Sequence, residues 1–173
     1  MDTYNACMQT KPTRVLFVSK HNAARSLMAE ACLRQLGGAM FQVYSCGVPD
    51  YVADKPDSTA LAALATGGFK TEGLSPKDWS EFSRHMGKPM DIVIALDADT
   101  KSLHPRWPDQ PETALWDYPS LEKRKGQSTS ERDIGMIQIL HSLRRRLELL
   151  VNLRQKVRSH AELRHDIRDM AHL

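Results

Sequence analysis

The chain of 173 residues is 41% hydrophobic and 26% charged, which suits one domain with a complete core and is short for two. Its net charge of +3 is uneven, with −2 on residues 1–120 and +5 on residues 121–173, and an excess of this size is more typical of a solvated helix face than of a nucleic-acid site. No apolar run is long enough to span a membrane, and the three irregularly spaced cysteines (Cys7, Cys32 and Cys46) argue against a disulfide framework or a zinc site and favour a reducing cytoplasm.

The first part of the chain predicts two strands with a helix between them. Residues 1–12 lack a basic start followed by an apolar stretch, so they are not a secretory signal and are predicted to be a disordered leader. The apolar run at 14–18 predicts a strand. Residues 24–36 have the spacing of a helix that the following glycine pair ends, and residues 41–46 alternate as a second strand.

Two further helices are predicted between residues 56 and 83. Pro56 suits the first turn of a helix that runs through an alanine-rich segment to Gly67. The segment 75–78, Ser-Pro-Lys-Asp, offers a capping serine, a proline at the first position and an acid in the first turn. It therefore predicts a third helix, which carries Trp79 and Phe82.

The second half of the chain predicts two more strands and a long helix. Residues 90–96 form a nearly continuous apolar run, as a parallel strand buried on both faces requires, and residues 113–116 predict a shorter strand. The apolar spacing of residues 130–153 predicts the long helix, and Ser128 with Glu131 fits a capping box at its start.

Alternating strands and helices predict a three-layer α/β domain over residues 13–153, with a four-stranded parallel sheet flanked by helices. The basic tail, 154–173, has only weak helical spacing, so a frayed and mainly solvated helical extension is expected. The tail is also the segment through which a homodimer would form. Ligands of such sheets bind at the carboxyl ends of the strands, where the loop 19–25, Asp97 and the residues after Trp116 would meet.

The loop between the first strand and the first helix has the layout of an anion site. Five residues separate Ser19 from Arg25, so backbone N–H groups can turn inward as a nest for a tetrahedral oxyanion, and the following helix adds its positive end. Arg25 supplies a bidentate guanidinium, and Asn22 suits a left-handed backbone conformation. The expected anion-binding residues are Lys20, His21, Asn22, Ala23, Ala24, Arg25 and Ser26.

The stretch VLFVSKHNAARSLMAEACLR resembles the low-molecular-weight protein tyrosine phosphatases and their arsenate reductase relatives. Their signature is a strand, a cysteine, five residues, an arginine and a serine or threonine, with asparagine at the third loop position and a following Met-Ala-Glu. Asn22, Arg25, Ser26 and residues 28–30 match it, and Ser-Cys-Gly at 45–47 is similar to the family's Ser-Ala-Gly.

The resemblance covers roughly residues 13–153 and carries expectations about fold and activity. It implies the low-molecular-weight phosphatase fold and either a cysteine-dependent phosphoric monoester hydrolase or an arsenate reductase. It implies phosphate, sulfate or arsenate as ligand, with a phosphotyrosine protein as a further partner. No metal, cofactor, nucleic acid or membrane is expected.

Ser19 occupies the position of the family's nucleophilic cysteine. A helix N-terminus and an adjacent arginine lower the pKa of a thiol toward neutrality, whereas a serine hydroxyl starts many units higher and needs a general base. The chain is therefore expected to bind oxyanions and to be inactive or substrate-trapping, with phosphotyrosine-type monoesters hydrolysed only if cysteine replaces Ser19. The sequence leaves open whether Ser19 replaces a natural cysteine or is native to an oxyanion-binding pseudoenzyme.

The resemblance also implies an aspartate after the fourth strand, which protonates the leaving oxygen as a general acid. Asp117 is the candidate for this role. Ser120 occupies an alternative position for it, and in that case the acid is missing as well as the thiol. Trp107, Trp116 and Tyr118 are candidates for the pocket mouth, with core packing as the alternative for Trp116.

The arsenate reductases that work with thioredoxin imply two more cysteines near the end of the third strand, where this sequence has Asp97 and His104. A reductase built on this chain would use an external thiol and would still require cysteine at position 19. Three functions stay open: a phosphatase that is inactive or trapped as written, an arsenate reductase relative, and a non-catalytic oxyanion- or phosphoprotein-binding module.

Overall fold

A sheet of four strands forms the centre of the computed structural model, which describes residues 11–84, 87–121, 126–156 and 160–170. The strands are β1 (Thr13–Val18), β2 (Phe41–Cys46), β3 (Ile92–Ala95) and β4 (Glu112–Leu115). All neighbouring pairs are parallel and the order is β2-β1-β3-β4. The predicted α/β class and four-stranded parallel sheet are confirmed, and the carboxyl ends of β1 and β3 lie side by side.

Helices join the strands and cover both faces of the sheet. In the described part of the chain they are α1 (Arg25–Gly37), α2 (Ser58–Thr66), α3 (Ser80–Ser83), α4 (Ala98–Leu103), α5 (Thr129–Lys156) and α6 (His160–Met170), with a short 3-10 turn at Gly38–Met40. Glu131 N donates to Ser128 Oγ over 3.3 Å, which is one of the two bonds of a capping box. None of these described helices combines the length and apolar character that crossing a membrane requires.

The two faces of the sheet are covered unequally. Alternate side chains of β1 and β3 point to opposite faces, so both strands are buried on both sides and need the continuous apolar runs that their sequences have. One set, Val15, Phe17, Ile92 and Ile94, joins α1, α2, α5 and α6 in the main core. The other set, Leu16, Val18 and Val93, packs in a smaller cluster with Phe82 of α3 and Trp107.

The helix start predicted at residues 75–78 is wrong. Lys77 N donates to the side-chain oxygen of Asn22 (2.9 Å), and the Lys77 carbonyl accepts from Gly47 N (2.7 Å). Because both backbone groups of Lys77 bind other segments, they cannot enter a helical hydrogen-bond pattern. Residues 75–78 therefore lie outside any helix, and helix α3 is confined to Ser80–Ser83.

The C-terminal segment is a packed helix, and the expectation of a mainly solvated tail is wrong for residues 160–170. Three apolar side chains of α6 are buried in the main core: Leu163, Ile167 and Met170. Their spacing of four and three residues places them on one face, and Arg168 on another face forms an ion pair with Glu112 of β4 (2.6 Å). The homodimer expected through this segment is untested, and most of the predicted leader, residues 1–10, lies outside the described residues.

Replacing Ile167 with alanine is expected to lower the free energy of unfolding by about 2–4 kcal/mol, because a fully buried side chain leaves a cavity in the main core. Urea unfolding followed by circular dichroism measures the change. The matched control is His165→Ala on the exposed side of the same helix, where a change below about 0.5 kcal/mol is expected. Equal, small effects of both substitutions would contradict the packing of α6.

Candidate functional site

The loop 19–25 begins where β1 ends and is held to β2 from its first residue. Ser19 N donates to the Cys46 carbonyl (3.2 Å), which extends the β1–β2 pairing by one bond. The Ser19 side chain is buried, and its Oγ lies 2.6 Å from Ser26 Oγ of α1. The first loop residue therefore points toward the start of the helix and not toward bulk solvent.

The backbone of the loop turns several carbonyl groups outward. They accept hydrogen bonds of 2.9–3.0 Å from N–H groups of the segment 48–57: Lys20 from Val48, His21 from Ala53, and Ala23 from Asp57. In a trans peptide the next residue's N–H points opposite to the carbonyl. The N–H groups of His21, Asn22 and Ala24 are consequently directed toward the inside of the loop, which is the arrangement of an anion-binding nest.

Asn22 fixes the shape of the loop. Its φ is 48°, in the left-handed region that asparagine tolerates better than most residues. The buried side chain donates from Nδ2 to Ser26 Oγ (2.7 Å) and Ser45 Oγ (2.9 Å), and its Oδ1 accepts from Lys77 N (2.9 Å). These three bonds allow only one orientation of the amide and join the loop to α1, β2 and the segment before α3.

The buried carboxylate of Glu30 is hydrogen-bonded to this network through Ser45. Ser45 Oγ donates to Glu30 Oε2 (3.1 Å), and Arg34 donates to Glu30 Oε1 (2.8 Å). Burial raises the pKa of Glu30, and the nearby charges of Lys77 and Arg34 only partly oppose this effect. Gly47 lets the loop approach β2, because a Cβ there would lie 3.0 Å from the Lys20 carbonyl oxygen.

The guanidinium of Arg25 is held at the carboxyl ends of β3 and β4, on the side of β1 opposite to β2. Its Nη1 donates to the Tyr118 carbonyl (3.0 Å) and lies 3.3 Å from Asp97 Oδ2. Asp97 is itself fixed, because its Oδ1 accepts from Thr100 N as the N-cap of α4 (2.7 Å). Arg25 and Asp97, which the topology placed at one edge of the sheet, thus form an ion pair.

Neither cysteine in the described part of the chain supplies a thiol to the loop. Cys32 and Cys46 are both buried. Burial raises the pKa of Cys32 to about 12 and raises that of Cys46 even further, so both thiols stay protonated at neutral pH. The position that follows β1 carries a hydroxyl in Ser19, as the sequence states.

A cavity of about 650 Å³ opens beside the loop. Its described lining comprises loop residues, the segment up to α2, the segment between β4 and α5, and one side of α5: Ser19, His21, Ala23, Ala24, Arg25, Ala53, Asp57, Ser58, Thr59, Ser120, Leu121, Gln127, Ser128, Thr129, Arg132, Met136 and Ile139. The loop is therefore one wall of a pocket large enough for a small organic ligand.

The candidate acid and its alternative occupy different surroundings. Asp117 is exposed, accepts a hydrogen bond from Ala98 N (3.3 Å) and is not part of the described lining. Ser120 does line the cavity. Among the described lining residues, the carboxyl group comes from Asp57, which the sequence analysis did not select.

Asp57 and Arg132 line the cavity together. Arg132 forms an ion pair with the Asp57 carboxylate and donates to the Leu121 carbonyl (2.7 Å). Asp57, and not Pro56, begins α2, because its Oδ1 accepts from Thr59 N (2.9 Å) and Ala60 N (3.1 Å). A capping aspartate before Ser-Thr was detectable in the sequence, whereas nothing in the sequence near Arg132 indicated its partner 75 residues away.

The aromatic residues proposed for the pocket mouth lie elsewhere. Trp116 is fully buried against Phe17, Tyr118 packs in the main core with its hydroxyl 3.0 Å from Ser142 Oγ, and Trp107 lies in the cluster on the other face. Core packing, the alternative for Trp116, is what the structure has. Hydrophobic burial outweighs exposure at the mouth for all three side chains.

His104, which with Asp97 occupies the region where thioredoxin-dependent reductases are expected to have cysteines, belongs to the second face of the sheet. Its Nδ1 accepts from Trp107 Nε1 (3.4 Å), and its ring packs edge-on against Trp79 and Trp107. Burial, helped by the nearby charge of Lys101 and opposed by that of Asp97, lowers the pKa of His104 to about 4. The ring is therefore neutral at pH 7 and forms part of a packed aromatic group.

Comparison with protein families identifies the segment that contains the loop. The sequence model described as low molecular weight phosphotyrosine protein phosphatase matches residues 14–118. This range starts in β1, includes the loop 19–25 and Asp97, and ends at Tyr118, whose carbonyl accepts a hydrogen bond from Arg25.

Individual proteins similar to this chain are described as arsenate reductases. The glutaredoxin arsenate reductase of Synechocystis sp. is 31% identical over 115 residues, which span 66% of this chain and 81% of that protein. A solved arsenate reductase in the oxidized state is 26% identical with a TM-score of 0.64 and matches 81% of this chain and 97% of its own. The arsenate reductase of Archaeoglobus fulgidus is 25% identical with a TM-score of 0.60 and matches 80% and 98% of the two chains.

Replacing Asn22 with alanine is expected to lower the free energy of unfolding by about 2–4 kcal/mol. The change removes one hydrogen bond from each of two buried hydroxyls, removes the acceptor of the Lys77 N–H and puts alanine in a left-handed conformation. Urea unfolding measures the loss. Asn152→Ala, at an exposed position of α5, is the matched control, and a loss at position 22 no larger than at 152 would contradict the role given to the Asn22 amide.

Acid is expected to weaken the Asp57–Arg132 pair. Burial raises the pKa of Asp57, but hydrogen bonds from Arg132 and the start of α2 outweigh this and hold it below its ordinary value of 3.8. A carboxyl group whose pKa is lower in the folded than in the unfolded state stabilises the fold at every pH above its unfolded-state pKa. This stabilisation is lost as the pH falls through the folded-state pKa.

Asp57→Asn is therefore expected to cost about 1–2 kcal/mol of unfolding free energy at pH 7, and the difference from the unchanged chain should shrink below about pH 4. Urea unfolding at pH 7 and pH 3.5 gives both values. Asp54→Asn, an exposed neighbour in the same segment, is the control. A cost for Asp57→Asn that does not change with pH would show that the charge of Asp57 does not matter.

Proposed function

The chain belongs to the low molecular weight phosphotyrosine protein phosphatase family, and from this premise we propose that it binds phosphate-type oxyanions in the loop 19–25 without hydrolysing their esters. The observation that carries the proposal is a hydroxyl at the nucleophile position: Ser19 Oγ, 2.6 Å from Ser26 Oγ. The loop has the groups that bind an anion, but the Ser19 hydroxyl cannot act as a nucleophile in the way that a thiolate does.

Three features support anion binding. The outward carbonyls of Lys20, His21 and Ala23 direct the N–H groups that follow them into the loop. Helix α1 begins at Arg25, so its positive end faces the same space. The Arg25 guanidinium is buried at this edge, and a positioned guanidinium binds two oxygens of a phosphate-type anion well.

Absence of turnover follows from the chemistry of the same residues. A serine hydroxyl needs a general base to become a nucleophile. Among the described residues, Ser19 Oγ is hydrogen-bonded to the hydroxyl of Ser26 (2.6 Å) and not to a basic side chain, and Asp57 is paired with Arg132. The lowered pKa of Asp57 keeps it ionised at neutral pH, so it does not serve as a general acid either, and Asp117 is turned toward Ala98.

Arsenate reduction with an external thiol is the second candidate function. It is favoured by the similarity to the Synechocystis glutaredoxin arsenate reductase, which covers 81% of that protein. The chemistry would require a thiol nucleophile at position 19, where this chain has Ser19. Arsenate binding is therefore shared by both candidates, and only turnover separates them.

One set of measurements tests the proposal. Isothermal titration with phosphate, sulfate and arsenate is expected to show binding by the chain, and Arg25→Met should weaken it about tenfold or more, as expected for the loss of charge-assisted hydrogen bonds. Assays of p-nitrophenyl phosphate hydrolysis and thiol-dependent arsenate reduction should detect no turnover by the chain. Ser19→Cys is expected to gain hydrolysis, because the loop and Arg25 lower the pKa of a thiol at this position.

Matched variants keep the outcomes distinct. Arg106→Met removes an exposed arginine outside the cavity and should leave anion affinity unchanged, and Ser19→Ala should not gain activity. Arsenate reduction by Ser19→Cys would favour the second candidate. Hydrolysis by the chain at a rate close to that of Ser19→Cys would contradict the proposal, as would failure to bind any of the three anions.

A further inference from the structure

Both arginines of the described cavity lining are paired with carboxylates. Arg25 Nη1 lies 3.3 Å from Asp97 Oδ2, and Arg132 forms an ion pair with Asp57. The charged side chains of the described lining are Arg25, Arg132 and Asp57, together with the titratable ring of His21. The two guanidinium charges are therefore balanced by two carboxylates before an anion enters the cavity.

The positive charge that remains for an anion comes mainly from backbone groups. The outward carbonyls of the loop direct N–H groups inward, and α1, which begins at Arg25, ends in roughly half a positive charge at its N-terminus. Lys20 lies outside the described lining, with its ammonium 4.8 Å from the ring centre of Tyr51. Such surroundings compensate one negative charge of a desolvated ligand better than two.

The pair of Arg25 with Asp97 is fixed in place. The side chain of Asp97 is only 15% exposed, and its Oδ1 accepts from Thr100 N (2.7 Å). Within the described part of the chain, the buried Oδ2 has no hydrogen-bond partner, so its charge is compensated by the nearby Arg25 guanidinium. An anion that drew this guanidinium away would leave a buried carboxylate without its ion pair, which is costly. Asp97 therefore stays beside Arg25 when an anion binds.

We infer that Asp97 makes this site prefer a singly charged oxyanion, such as the sulfate group of an organic sulfate ester, to a doubly charged one, such as the phosphate group of a monoester. The inference rests on the proposed oxyanion binding in the loop 19–25. Asp97 is not part of the described lining and acts through space. Its repulsion is proportional to the charge of the ligand, so it costs a doubly charged anion twice the free energy that it costs a singly charged one.

Methyl sulfate and methyl phosphate are a matched pair of probes for this preference. They have the same number and arrangement of heavy atoms, and at about pH 8 the first carries one negative charge and the second nearly two. In isothermal titration the chain is expected to bind methyl sulfate about threefold more tightly. Equal affinities, or tighter binding of methyl phosphate, would overturn the inference and leave the proposed function standing. If neither ester nor inorganic phosphate binds, both are overturned.

Replacing Asp97 with asparagine tests the origin of the preference, because asparagine removes the charge and keeps an oxygen that can cap α4. The variant is expected to bind methyl phosphate about tenfold and methyl sulfate about threefold more tightly, since a doubled free-energy change squares the fold-change. The preference for methyl sulfate should then disappear. Asp99→Asn, which removes an equal charge from an exposed position of α4, is the matched control and should change either affinity less than about twofold.

The variants separate charge repulsion from a purely structural role of Asp97. Circular dichroism verifies that each variant is folded. Weaker binding of both esters by folded Asp97→Asn, or the same fold-change for both, would show that Asp97 only holds Arg25 in position and would overturn the inference. An effect of Asp99→Asn as large as that of Asp97→Asn would also overturn it, because the repulsion would not then come from the carboxylate beside Arg25.

Discussion

The Asn22 amide is the interaction on which the geometry of the site depends. Its two N–H groups and its oxygen connect the loop to three separate parts of the chain, at Ser26, Ser45 and Lys77. An unmade hydrogen bond at a buried amide costs more than a typical made one contributes, so these bonds act together. They keep Asn22 in a left-handed conformation and set the direction of the neighbouring peptide groups, which an anion would meet.

Much of the fold and of this loop was predictable, because the signals are local or follow from topology. The buried runs at 14–18 and 90–96 had to be central strands, and parallel connections bring their carboxyl ends together at Ser19 and Asp97. The anion-binding layout of the loop, with five residues between Ser19 and Arg25 and an asparagine among them, could also be predicted, because it is a local pattern. Each of these features depends on residues close in sequence.

The errors have a common physical cause, which is long-range contact that overrides a local signal. At 75–78 no helix begins, because the backbone groups of Lys77 are hydrogen-bonded to Asn22 and Gly47. The tail is packed along one face, because Leu163, Ile167 and Met170 contact a core that strands distant in sequence form. The pairing of Asp57 with Arg132 likewise depends on how α2 and α5 pack. Composition and periodicity do not encode such partners, even where they define the element itself.

The packing of α6 also bears on where the domain ends. β4 is an edge strand of the sheet, and an uncovered edge offers free backbone groups for pairing with another chain. Helix α6 contributes side chains to the core cluster that contains Ala114 of β4, and Arg168 pairs with Glu112 at the start of that strand. A domain boundary at residue 153 would cut α5 and separate α6 from the core that it shares with β4. The contacts of α6 therefore lie beside the edge strand of the sheet, where an unpaired strand could otherwise pair with another chain.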